Sequence, residues 1–230
     1  MEIKMKRIGF FGHSNCAYRS SESLVDLLAN FLESDIVNIG VRQGSEERIL
    51  YELKKTKDLD LAVIFHSEPQ YIFLPGCDRD VGINNVNEFR AEYMFKDWTT
   101  DFSKQHHAKF LEKFKNSELF VNAVSTLREY FYHPDLQMNR FIGSLLQIDH
   151  YVQAKNIPVI HVIKEQILPQ WFKFSSGVVD FEIMKLVDSN AVPRGKWFVN
   201  CVTAQGNELI FKKLKELVVE LNPPSLGAIA

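Results

Sequence analysis

Four short stretches of the sequence hold the polar residues that could do chemistry together. "FFGHSNC" (10–16) sets His13, Ser14, Asn15 and Cys16 on a turn after an apolar run. "VNIGVRQGS" (37–45) brings Asn38, Gly40 and Gly44, and "DLAVIFHSEP" (60–69) brings His66, Ser67 and Glu68. "NCVTAQGNELI" (200–210) adds Asn200 and Cys201. A serine hydroxyl attacks an ester well only when a neighbouring base takes its proton, and that base must be held in the right tautomer by a third group. Ser14 is the candidate nucleophile of such a set, with His66 as a displaced base and Glu68 as its carboxylate. A serine that opens a helix also has backbone N–H groups beside its hydroxyl, as an oxyanion requires. Gly44, His13, Ser67, Asn200 and Cys201 are expected to line that binding rim. Each residue also has a plainer use: Ser14 can start a helix, and both histidines can bond loop backbone.

For these stretches to meet, the elements must carry them to one edge. "RIGFF" (7–11) reads as a buried strand ended by Gly12, and "DIVNIG" (35–40) as a second strand. "LDLAVIFH" (59–66) is apolar almost throughout, as a central parallel strand covered on both faces should be, and "IPVIHVI" (157–163) repeats that signature. "KWFVN" (196–200) is a weaker last strand. Between them run "SSESLVDLLANFLES" (20–34), with Leu24, Leu27, Leu28, Phe31 and Leu32 at helical spacing, and "GSEERILYELKK" (44–55), with acids in its first turn. The closing helix, "TAQGNELIFKKLKELVVEL" (203–221), carries Leu214, Leu217, Val218 and Leu221 on one face. Alternating strand and helix predict one α/β domain over 1–230, with a parallel sheet of about five strands covered on both sides. Ligands of such sheets bind outside the carboxyl ends of the strands, where all four polar stretches fall. Two segments break the rhythm: a long loop insertion at 67–101, and a helical pair at 103–155 interrupted by Pro134.

With these blocks in this order, the chain resembles the SGNH (GDSL) hydrolase family over nearly its whole length. "FFGHSNC" looks like the first block, Gly-Asp-Ser, with Ser14 at the nucleophile position and His13 in place of the aspartate. "VNIGVRQGS" is similar to the second block, whose glycine amide serves the oxyanion hole; Gly44 is the best match and Gly40 the alternative. "DLAVIFHSEP" stands where the third block ends Gly-x-Asn-Asp, and "NCVTAQGNELI" looks like the fifth. The size and style are similar to small SGNH-like proteins of phage and their hosts. The resemblance implies a three-layer α/β/α sandwich of flavodoxin-like topology and, in an active member, a serine esterase, acetylesterase or acyltransferase. Aligning Thr203, Gly206 and Asn207 puts Cys201 at the catalytic histidine and Phe198 at its supporting aspartate. Glu68, or Ser67, replaces the oxyanion-hole asparagine, and a carboxylate there opposes the charge that develops on the oxyanion. Those departures imply a catalytically degraded member kept for binding or assembly, with an active esterase as its rival.

Other chemistries find less support. His13, Cys16, His66 and Cys201 are zinc-ligand types without the paired spacing of a structural site, so no metal and no cofactor is expected. "CDRDVGINNVNE" (77–88) has alternating oxygen ligands, but its glycine is one place early and the closing acid is missing, which favours an Asx-rich turn over a calcium loop. His106 and His107 fall on a helix surface and receive no role. The 18 phenylalanines read first as core. A net charge of −2 leaves no footprint for nucleic acid or an anionic membrane, and no stretch approaches a membrane span. Three unpaired cysteines and an N-terminal apolar run too short for a signal peptide point to the cytoplasm. The expected ligand is a small acyl group or glycan. The apolar tail in "NPPSLGAIA" is expected to join a second copy or an assembly partner, since such ends otherwise fray. Deleting residues 223–230 should therefore lower the oligomeric mass or abolish partner binding in size-exclusion chromatography with light scattering; an unchanged profile argues against the tail contact.

Overall fold

A computed structural model describes residues 6–12, 16, 23–38, 40, 44–69, 71–73, 81–82, 126, 130, 133–163, 168–176, 181–182 and 204–221. Through them run β1 (Arg7–Gly12), α1 (Leu24–Leu32), β2 (Asp35–Asn38), α2 (Glu46–Lys55), β3 (Leu61–Phe65), β4 (Tyr71–Ile72) and β5 (Val81–Gly82). They are followed by α3 (Pro134–Ala154), β6 (Val159–Ile163), β7 (Phe181–Glu182) and α4 (Ala204–Leu221). Five strands form one parallel sheet in the order β2-β1-β3-β6-β7, and β4 with β5 makes a separate antiparallel ribbon. Leaving the ribbon aside, this is the flavodoxin-like order that the resemblance implies, with the strand order reversing between β1 and β3. The fifth place belongs to β7, which its sequence did not single out. "KWFVN" (196–200) lies outside the described residues, as do most of the 67–101 insertion and the first half of the 103–155 pair.

Period-two alternation divides the strands between two apolar layers. Ile8, Phe10, Leu61, Val63, Phe65, Ile160 and Val162 pack with Leu24, Leu28 and Leu32 of α1 and Ile210, Leu214 and Leu217 of α4. Phe11, Ala62, Ile64 and Val159 face the other way, onto Ile49 and Leu53 of α2 and Ile148 and Val152 of α3. Each such buried side chain contributes about 1.5–3 kcal/mol, so the two layers hold the three-layer sandwich together. Two polar residues share the second face. His161 alternates with Ile160 and Val162 in β6, and His66 continues the series of Ala62 and Ile64.

The helices begin where their capping chemistry allows. Ser23 accepts the Asp26 N–H at 3.2 Å, and Ser45 accepts the Arg48 N–H at 3.3 Å. Pro134 occupies the first turn of α3, where its missing N–H is harmless, so the predicted break is a helix start. Gly12 ends β1 with φ +117°, paired in register with Phe65. A Cβ there would run into the Phe65 carbonyl. Gly12→Ala should therefore destabilise by about 3 kcal/mol, from backbone strain and overpacking together. Gly143→Ala, within α3 and with open space around its Cβ, should instead stabilise by about 0.5–1 kcal/mol. Urea midpoints of the two variants check both signs.

Candidate functional site

Adjacent strands end together at the carboxyl edge, as the Gly12–Phe65 register requires. The Gly40 N–H donates to the Cys16 carbonyl at 3.0 Å, tying the segment after β2 to the one after β1. Gly44, just before α2, lines a small cavity with Gly12, Asn38, Gly40 and Arg48. Gly44 and the His66–Glu68 segment thus follow β2 and β3 at the edge where the first strand ends. His13, Ser14 and Asn15 lie outside the described residues, and so do Phe198, Asn200 and Cys201. Cys16 is buried in the α1–α4 layer, where burial pushes its thiol pKa up, on the opposite face of the sheet from His66. Among the described residues no three histidines, cysteines or carboxylates gather as metal ligands.

What the structure does assemble is a buried chain of polar groups beneath α2 and α3. His66 Nδ1 lies 3.0 Å from Glu46 Oε2, while Glu46 Oε1 accepts the Ser67 N–H at 2.6 Å. His66 Nε2 lies 2.8 Å from His161 Nδ1, and His161 Nε2 lies 2.9 Å from Ser176 Oγ. Asp149 of α3 closes the far end: Oδ1 accepts the Ser176 N–H at 2.9 Å, and Oδ2 accepts both the N–H and the hydroxyl of Ser175 at 2.7 Å. Phe174 lies over both imidazoles, with ring centroids 3.8 Å from His161 and 5.0 Å from His66. Glu46, His66 and His161 are 1%, 1% and 0% exposed, so water does not complete their bonding.

Donor and acceptor counting assigns the protons. With the Glu46 carboxylate accepting, His66 carries its proton on Nδ1. A single proton then lies between the two imidazoles, and in the uncharged state it belongs to His161 Nδ1. His161 Nε2 is left as an acceptor facing the Ser176 hydroxyl. Burial, followed by the neighbouring His66, holds His161 well below the usual histidine range, against the pull of Asp149. For Asp149, burial alone would raise the carboxyl; hydrogen bonds from the side chains and N–H groups of Ser175 and Ser176 outweigh it and hold it low. The hydroxyl of Ser67 is buried with no hydrogen-bond partner among the described residues.

The carboxylate that holds His66 is Glu46, in the place where the sequence suggested Glu68. The reason is geometric: the first turn of α2 abuts the end of β3, and its acid reaches Nδ1 directly. His161, Asp149 and Ser176 were missed as well. One signal was present in the sequence, an imidazole within "IPVIHVI", since a polar ring in a strand buried on both faces needs partners.

No protein-family model and no curated protein sequence matches the chain. Among solved structures it is similar to a carbohydrate acetylesterase family member from Sinorhizobium meliloti, at 8% identity and a TM-score of 0.45 over 94% of this chain and 99% of that one. It is also similar to a protein from Desulfitobacterium hafniense described as lipolytic and of the G-D-S-L family, at 14% identity and a TM-score of 0.36 over 92% and 99%.

The His161 environment fixes a pH dependence. Above the unfolded histidine value of about 6.5 both states are neutral there; below it the unfolded chain takes up a proton that native His161 resists. Stability should then fall by about 1.4 kcal/mol per pH unit attributable to this residue. Asp149 acts in a separate window, its contribution present above the usual carboxylate value and lost on stronger acidification. Denaturant midpoints between pH 7.5 and 5.5 should decline below about 6.5, and His161→Gln should flatten the decline. Equal slopes in both proteins would show that His161 protonates freely in the native state.

Proposed function

We propose that this chain is an SGNH-hydrolase-like protein whose Ser14 site no longer hydrolyses esters and which works by binding a small acyl or glycan ligand or an assembly partner. The observation that carries this reading is the sealing of His66. That histidine is the described imidazole at the rim, and its two ring nitrogens face Glu46 and His161 while its side chain is fully buried. A ring so engaged, with Glu46 of α2 at one nitrogen and His161 of β6 at the other, has no nitrogen left to serve Ser14 as base. The sequence agrees, since Cys201 and Phe198 stand where the family's histidine and aspartate are expected. Removing a general base costs several orders of magnitude in rate.

The test is hydrolysis of p-nitrophenyl acetate by the wild type, Ser14→Ala and a repaired protein. Ser14→Ala should match the wild type. Cys201→His with Phe198→Asp and Glu68→Asn should gain activity that a further Ser14→Ala removes. Turnover in the wild type that disappears in Ser14→Ala would overturn the reading, because some group would already be serving Ser14 as base.

A further inference from the structure

We propose that Ser176 is a second serine nucleophile, activated by the buried relay His161–His66–Glu46, and that it accepts small acyl groups from activated esters. Four elements contribute one group each, and the groups are in line: hydroxyl, imidazole, imidazole, carboxylate. The successive contacts are 2.9 Å from Ser176 Oγ to His161 Nε2, 2.8 Å from His161 Nδ1 to His66 Nε2, and 3.0 Å from His66 Nδ1 to Glu46 Oε2. This is the relation of nucleophile, base and orienting group that activates serine, with a second imidazole inserted between base and acid. The relay is buried, while Ser176 at its end is half-buried and follows the exposed Trp171 on the same segment. The Ser175 hydroxyl donates to Asp149 with no imidazole beside it among the described residues. The Ser176 hydroxyl lies between Asp149 and His161 Nε2 and is the one of the two that can give its proton to a base.

The chemistry balances within these residues. Ser176 Oγ attacks the acyl carbon and its proton passes to His161 Nε2; the new O–C bond forms as the ester C–O bond breaks. The leaving alkoxide then takes the proton from His161. In the charged interval the His161 imidazolium donates from Nδ1 to His66, whose Nδ1–H rests on Glu46. Asp149 Oδ1, 4.0 Å from His161 Nε2, adds a compensating charge. Burial and the neighbouring His66 hold His161 well below the usual histidine range, so forming its imidazolium depends on the compensating charges of Asp149 and, through His66, Glu46. A merely structural contact would not need this cost: two imidazoles and two carboxylates are desolvated on a face otherwise filled by aliphatic and aromatic side chains, where an apolar set would seat Phe174 as well.

The experiment treats the full chain with an alkyl fluorophosphonate from pH 5 to 8 and maps the adduct by peptide mass spectrometry. Attack by Ser176 Oγ on phosphorus expels fluoride and leaves a phosphonyl ester, with the proton again taken by His161. The expected result is an adduct on Ser176, lost in Ser176→Ala. Glu46→Gln, an isosteric change, should slow labelling about a hundredfold and shift its pH profile, which a purely structural role would not do. His66→Gln serves as the second variant should Glu46→Gln fail to fold. The wild-type result stands independently of either variant. No adduct, or one confined to another serine such as Ser175, would overturn the proposal while leaving the Ser14 reading intact. An adduct on Ser14 alone would overturn both.

Discussion

The contact on which this site depends is the one between two imidazoles, 2.8 Å apart, in the middle of a dry layer. Two ring nitrogens at that separation must share one proton, so the tautomer of each histidine dictates that of the other. Glu46 sets the choice at one end by claiming His66 Nδ1, and the choice travels to Ser176 at the other. The segment 172–176, β6, the end of β3 and the first turn of α2 are therefore joined by one run of hydrogen bonds, fully buried from Glu46 to His161 and half-buried where it reaches Ser176. In such surroundings a lost partner leaves a buried polar group unsatisfied, which costs about 1–3 kcal/mol or more. The parallel sheet makes this possible, because only strands covered on both faces could keep the pair so dry.

The fold was legible because it rests on patterns that act within a few residues. Continuous apolar runs marked β1, β3 and β6, helical spacing marked α1 and α4, and Pro134, read as a break, stands at the start of α3. β7 was not legible. A two-residue strand has no periodicity to read, and it exists because β6 offers it an edge. The same difference separates the two halves of the candidate site. Gly44 has a local meaning as a glycine before a helix at a strand end, whereas Glu46 reads as an ordinary first-turn acid until the end of β3 is placed against it. A hydrogen bond between residues 20 or 95 positions apart leaves no spacing to recognise.

The contrast between Glu46 and Glu68 shows how a carboxylate distant in sequence comes to hold His66. Both lie near His66, and Glu68 is nearer in sequence. Reach is decided by direction: His66 follows Ala62 and Ile64 onto the α2–α3 face, so its ring enters the layer that α2 covers. The first residue of that helix meets it there. A carboxylate in the first turn also suits the positive end of the helix dipole, so one residue serves both the helix and the histidine. The backbone N–H of Ser67 completes the arrangement by donating to the other Glu46 oxygen. Local helix chemistry and long-range packing thus select the same side chain.

That agreement limits what else His66 can do. An imidazole can orient a nucleophile on only one side at a time, since one nitrogen donates to the orienting group and the other accepts from the attacking hydroxyl. In His66 those two positions are filled by Glu46 and His161, both drawn from the α2–α3 face. For His66 to serve Ser14, the ring would have to release His161, and His161 would lose its Nδ1 partner inside a layer with no water to replace it. The cost of that vacancy opposes any such rearrangement. The Glu46–His66–His161 bonds and a bond from His66 to a hydroxyl elsewhere therefore exclude one another, and in the structure both nitrogens of His66 are taken.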